Sequence, residues 1–141
     1  MKALGVFRES GPDVAPGLAS IHDAAGKLES RAVARVAAYL RRGVAVFDIM
    51  EVTVDPFDRS NKFPGGSSLL SDGAWVWRDD LAFLVERYGI GLPSDFVRHA
   101  LEAGGPSDRE SVARAWQDAL DAYERAERGA AEPPAPVGRG F

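Results

Sequence analysis

The segment Gly65–His99, GGSSLLSDGAWVWRDDLAFLVERYGIGLPSDFVRH, constrains this chain more than any other. Two short apolar runs, residues 67–70 and 74–77, flank Ser71-Asp72-Gly73. An Asp-Gly pair accepts positive φ angles readily, so the pattern predicts a tight hairpin. Trp75 and Trp77 stand two apart and therefore project to the same side of their strand. Asp79 is placed to cap a helix over 80–88, in which Leu81, Leu84, Val85 and Tyr88 form one stripe and Gly89 supplies the stop. Pro93 sits well in the first turn of a further helix over 93–103, with Phe96, Val97, Ala100 and Leu101 facing inward. Gly104-Gly105-Pro106 ends it. Nearly every position has a role in folding, and none is an evident reactive group.

The flanking sequence extends this frame. Residues 1–27 are broken by Gly11, Pro12, Pro16, Gly17 and Gly26 and read as loop, with Leu4, Val6 and Phe7 in a short edge strand and Ile21 as an anchor. Val33, Val36, Ala37 and Leu40 fall at i, i+3, i+4 and i+7, which predicts a helix over 28–42 with Gly43 as a left-handed cap. From Val44 to Val54 the chain turns β-branched and alternating. One long bent strand is expected there, or two short ones meeting around Asp48. Asp55–Gly66 is a loop by composition. Ser107 and Glu110 form an S-x-x-E capping box for a long helix running to about residue 127, with Val112, Trp116, Leu120 and Tyr123 along one side. Residues 129–141 are rich in alanine, proline and glycine and are expected to be disordered.

Composition narrows the function classes. A chain of 141 residues is one domain's worth, here 1–128 with a tail. No apolar run approaches the length of a bilayer span, and the short apolar stretch after Lys2 does not match a secretory leader, so a cytoplasmic protein is expected. With no cysteine, disulfides, thiolate nucleophiles and zinc–sulfur sites are excluded. The net charge of −4 argues against phosphate-backbone binding and favours a basic protein partner, because opposite charge speeds encounter. Neither nucleic acid nor membrane is expected as a partner.

A resemblance rests on a spaced set of residues. Tyr39-Leu40…Gly43, Asp55, Gly65-Gly66-x-Ser68-Leu69…Asp72-Gly73-x-Trp75-x-Trp77-x-x-Asp80-Leu81, Tyr88 and Leu92-Pro93-x-x-Phe96 together resemble a family of small uncharacterised bacterial proteins of the toxin-immunity type. The match covers residues 28–102, and the D-G-x-W-x-W and L-P-x-x-F pieces are distinctive as a set. It implies a cognate toxin as partner and brings no catalytic residues. One departure stands out: Arg78 occupies a position where proline is expected. The helix after Pro106 lies outside the match.

No constellation of reactive residues emerges. His22 and His99 lie in different segments without a second ligand at helical spacing, so no metal site is expected. Asp48, Glu51, Asp55 and Asp58 form a loose acidic group that does not follow the D-x-D-x-D-G calcium loop. A solvated edge is the plain explanation for it, and a contact surface for a basic partner is the functional one. Gly65-Gly66-Ser67-Ser68 fits neither G-x-S-x-G nor a phosphate loop. Trp75 and Trp77 lack the cationic neighbours of a base-stacking platform, which favours core packing, with an interface or pocket role as the alternative.

These observations predict an α+β domain with a small, mostly antiparallel sheet and about four helices. The leading expectation for function is a non-enzymatic protein-binding module, an immunity protein that occludes a cognate toxin, with Asp48, Glu51, Asp55 and Asp58 as contacts and no cofactor. The alternative is a small-ligand accessory protein or enzyme with a pocket beside the tryptophan strand, using His22, His99 or Asp48 for acid–base chemistry. A third is a scaffold that self-associates through the final helix. Oligomeric state is not readable from the sequence.

Overall fold

The computed structural model describes residues 1–129, and the part of the expected disordered tail beyond Gly129 lies outside the described residues. The fold is α+β, as expected. In chain order the elements are β1 (Lys2–Ala3), α1 (Ile21–Ala24), α2 (Val33–Arg41), β2 (Val44–Phe47), β3 (Val52–Val54), β4 (Lys62–Pro64), β5 (Leu69–Ser71), β6 (Trp75–Arg78), α3 (Leu81–Tyr88), α4 (Ser94–Glu102), α5 (Arg109–Arg114) and α6 (Trp116–Glu127). The main sheet has the order β1-β6-β5-β2, and β3 and β4 form a separate two-stranded sheet. Only the β1–β6 pair is parallel; β6–β5 and β5–β2 are antiparallel.

The hairpin β5–β6 forms where the turn chemistry places it. Asp72 Oδ1 accepts from the N–H groups of Ala74 (2.9 Å) and Trp75 (2.8 Å), and Gly73 takes a φ of 99°. Ser71 Oγ accepts from Gly73 N–H at 3.0 Å and donates to the Trp75 carbonyl at 2.7 Å. Alternation along β6 then assigns the two faces of the sheet. Trp75 and Trp77 point one way, into a core shared with Tyr39 and Leu40 of α2, Leu84 and Val85 of α3, and Phe96 of α4. Val76 points the other way, onto Leu69, Ala119, Ala122 and Tyr123. Helices therefore cover both faces of the sheet.

Trp77 is the centre of the larger core. It is fully buried, and its indole N–H donates to the Leu40 carbonyl at the end of α2 at 3.1 Å. Its ring lies 5.9 Å from Phe96 and 6.4 Å from Tyr39. This packing corrects the expected role of Gly43. That residue is not left-handed; α2 ends at Arg42 with φ −88° and ψ 1°. Glycine is required because a Cβ at position 43 would stand 2.6 Å from Cζ2 of Trp77. Gly89, by contrast, is the expected left-handed cap, with φ 62°.

Further expectations are revised or narrowed. Of the two readings of residues 44–54 the structure has the two short strands, separated at Asp48–Glu51 and lying in different sheets. The loop over 55–66 contains β4, which pairs antiparallel with β3 in the register Thr53–Phe63. The N-terminal strand is Lys2–Ala3, just before the expected apolar residues. The long final helix breaks at Ala115, so that α5 rests on β2 while α6 lies against β1 and β6. Its cap is Asp108, whose side chain accepts from Ser111 N–H at 3.0 Å, one register away from the Ser107–Glu110 box. Asp80 rather than Asp79 precedes α3, and its carboxylate is engaged elsewhere instead of capping.

Replacing Gly43 by alanine is expected to overpack the Trp77 site and lower stability by about 1–3 kcal/mol. Gly17, where an added Cβ meets nothing within 4 Å, is the control. Urea unfolding of Gly43→Ala and Gly17→Ala should separate them, with the second close to the parent protein.

Candidate functional site

The four carboxylates singled out in the sequence do not act together. Asp48, Glu51 and Asp58 are exposed, whereas Asp55 is completely buried. Asp55 Oδ2 accepts from the Tyr88 hydroxyl at 2.5 Å and from Asn61 Nδ2 at 3.2 Å, and Oδ1 accepts from the Phe57 N–H at 2.8 Å. Burial pushes this carboxyl up, but the hydrogen bonds from Tyr88, Phe57 and Asn61 outweigh it and hold it below the ordinary aspartate value. Asp55 thus ties the β3–β4 loop to the end of α3 and offers nothing to a partner. Tyr88 and Phe57 stack beside it with centroids 4.2 Å apart.

The β3–β4 hairpin has an anchored face and a free face. Thr53 and Phe63 point inward: the Thr53 hydroxyl donates to Asp80 Oδ2 at 2.8 Å, and Phe63 packs 4.9 Å from Phe83. Strand alternation sends Val52 and Val54 outward, paired with Pro64 and Lys62. Val52 is 57% exposed, and the neighbouring Met50 is 99% exposed. Exposed Asp48, Glu51 and Asp58 flank this apolar strip.

Trp75 and Trp77 are core residues. The groove beside Trp75 has a volume of about 390 Å³ and is lined by Lys2, Ala3, Pro93, Asp95 and Arg125 among others. Its charged groups already serve each other: the Lys2 ammonium sits 5.2 Å over the Trp75 ring and 3.7 Å from Asp95. His22, His99 and Asp48 do not line it. His22 packs edge-on against Phe57 at 4.6 Å. His99 instead joins a network at the hairpin turn, with Nε2 3.1 Å from the Tyr39 hydroxyl, which donates to Asp72 Oδ2 at 2.7 Å. Among the described residues no group of three or more His, Asp or Glu side chains is placed to hold a metal ion.

A larger cleft, about 520 Å³, lies on the opposite face of the sheet, between α6, the residues around Gly66 and the loop Ser10–Val14. Because residue 78 has the parity opposite to Trp75 and Trp77, Arg78 is delivered to this face. Its guanidinium is nearly enclosed. Nε and Nη2 donate to the two oxygens of Asp80 at 3.2 and 2.6 Å, and Nη1 donates to the Ser10 carbonyl at 2.5 Å. Around this pair stand Glu51, Glu124, Glu127, Arg128 and Asp13. Burial pushes the Glu127 carboxyl above its ordinary value; Arg78 opposes that shift, and Glu124 adds to it. Ser67 Oγ is buried without a hydrogen-bond partner, and the Tyr123 hydroxyl, equally closed to solvent, lies against the Arg78 guanidinium.

The sequence offered one sign of this cleft, the arginine standing where the resembled pattern has proline. Nothing local in the chain links that arginine to Tyr123, because the two meet only where α6 packs on β6. No helix among the described residues is long and apolar enough to cross a membrane. The chain matches no family model, no curated protein and no solved structure.

Asp55 generates a pH prediction. A carboxyl held below its unfolded value contributes stability above the ordinary aspartate pKa of about 4, and that contribution is lost as pH falls through the folded value. Asp55→Asn should lose about 1–3 kcal/mol at pH 7 and show a smaller further loss between pH 5 and pH 2 than the parent protein. Chemical unfolding across that range measures both; parallel acid profiles would contradict the assignment.

Proposed function

We propose that this chain is a non-enzymatic protein-binding module acting in the cytoplasm, and that its partner is a basic protein of the toxin class, neutralised by occlusion. The observation that supports this most is the outward strip of the β3–β4 hairpin, where Met50, Val52 and Val54 stand exposed between Asp48, Glu51 and Asp58. Exposed apolar side chains ringed by charge suit an interface with an apolar centre and a polar rim. Asp48, Glu51 and Asp58 suit a cationic surface and speed its docking, while Lys62, opposite Val54, adds one cation to the outward face. The net charge of −4 points the same way, as does the resemblance to immunity-type proteins over residues 28–102.

The small-ligand alternative has one observation in its favour, the groove beside Trp75. It lacks the acid–base groups that reading invoked, since both histidines lie elsewhere. The self-association alternative draws on Trp116, which is 38% exposed and stacks on Phe47 at 5.9 Å.

An occluding complex of this kind would bury on the order of 1,600 Å². Co-expression with the neighbouring gene's product, followed by purification at low salt, is expected to recover both proteins together, and recovery of this chain alone counts against the proposal. Val52→Asp and Glu51→Lys are expected to weaken capture by about tenfold or more, equivalent to about 1.4 kcal/mol per tenfold. Thermal melts of both variants should match the parent, because neither side chain packs in a core. Added salt should loosen the parent complex by screening the rim.

A further inference from the structure

A free strand edge invites another chain to pair with it, and folded proteins guard such edges. Among the described residues, three strands that border open edges carry a guard. β1 is two residues long and begins with Lys2. β2 has α5 packed against it. β4 carries Lys62 and Pro64, and proline has no N–H to offer. The outer edge of β3 has no such device. Gly65 N–H donates to the Glu51 carbonyl at 2.8 Å, and Asp55 N–H donates to the Asn61 carbonyl at 3.0 Å. With Thr53 opposite Phe63, these bonds make Glu51, Thr53 and Asp55 the positions whose main-chain groups face β4. Those of Val52 and Val54 point the other way, and no hydrogen bond to them is made among the described residues. Both residues are β-branched and exposed.

We infer that the partner adds an extended segment to the free edge of β3, exchanging main-chain hydrogen bonds with Val52 and Val54. The inference deepens the proposed function and rests on it for the partner's being a basic protein. In such an addition the main-chain bonds supply affinity, and alternate side chains supply the choice of sequence. Residues opposite Val52 and Val54 extend the apolar strip that these two form with Met50. The alternate residues fall on the side of Thr53 and Glu51, where the exposed Glu51 selects lysine or arginine. The segment is thus an alternation of apolar and cationic residues. Charge sets aside a second copy of this chain. Antiparallel pairing of two β3 strands about Thr53 would bring Asp48 and Glu51 of each toward Asp58 and Asp55 of the other, and like charges set opposite destabilise a pair.

Hydrogen exchange in the free chain is the first test. The amides of Val52 and Val54 should exchange much faster than that of Thr53, and equal protection at all three overturns the inference. The second test is an NMR titration of the full chain with the peptide acetyl-Lys-Val-Lys-Val-Lys-amide. Saturable shifts are expected at the Val52 and Val54 amides, with binding about tenfold weaker when both peptide valines are N-methylated. Glutamate in place of the peptide's lysines should also weaken it. Absence of saturable shifts, or equal binding by either control peptide, overturns the inference. So does slowed exchange at Val52 and Val54 on raising the protein concentration alone, with a dimer in light scattering, because the occupant is then a second copy. Val52→Pro and Val54→Pro remove the edge donors without touching the bonds to β4, so both should fold and bind the peptide about tenfold less tightly. Capture of the co-expressed partner separates the two proposals. If Val52→Asp abolishes capture while both proline variants retain it, strand addition fails and the binding-module proposal stands. If the peptide binds with the stated selectivity but no partner is captured, the edge assignment stands and the partner proposal fails.

Discussion

Trp77 sets the terms for the rest of the molecule. Its indole fills the space between α2, α3 and α4, and its N–H occupies the carbonyl of Leu40 at 3.1 Å. That bond fixes the end of α2 against β6, and the ring's approach leaves room only for glycine at position 43. The strand that carries Trp77 also carries Trp75 on the same side and Val76 and Arg78 on the other. Once the tryptophans are committed to the larger core, the pleat commits Val76 to the smaller one. Arg78 is then carried to the α6 face, where a buried guanidinium is tolerable only because Asp80 and the Ser10 carbonyl take up its N–H groups. One strand register thus decides both the closed interior and the polar cleft behind it.

How much of this was legible depended on how local each cause is. The hairpin turn, the stripe of α3 and its Gly89 cap, and the inward residues of α4 follow from signals within a few residues, and the structure has them. Strand β4 was hidden because Lys62-Phe63-Pro64 is three residues long, contains proline and sits in a loop-like stretch; it exists because Phe63 is anchored on Phe83. The break at Ala115 was hidden for a similar reason. The apolar periodicity runs through it, while the two halves pack on different strands. Asp55 looked like its acidic neighbours, and Tyr88, distant in sequence, joins the local donors of Phe57 and Asn61 that hold it inward. The cleft was the least legible feature, since Arg78, Ser67 and Tyr123 meet only through the sheet's tertiary packing.

The same geometry gives the protein two kinds of surface. Around His99, Tyr39 and Asp72, polar groups are satisfied by one another and hold the hairpin turn to α2 and α4. Around the β3–β4 hairpin, apolar side chains stand exposed beside acidic ones, and the hydroxyl of Ser67 is buried without a partner. Unsatisfied groups in an otherwise satisfied fold are where function is expected to reside.

Amide hydrogen exchange on the co-expressed complex, compared with the free chain, tests that placement most directly. Residues 48–64 should exchange more slowly in the complex, with the amides around Asp72 and His99 unchanged. Protection confined to the Asp72–His99 side, with the hairpin exchanging as in the free chain, would contradict the assignment of the binding face.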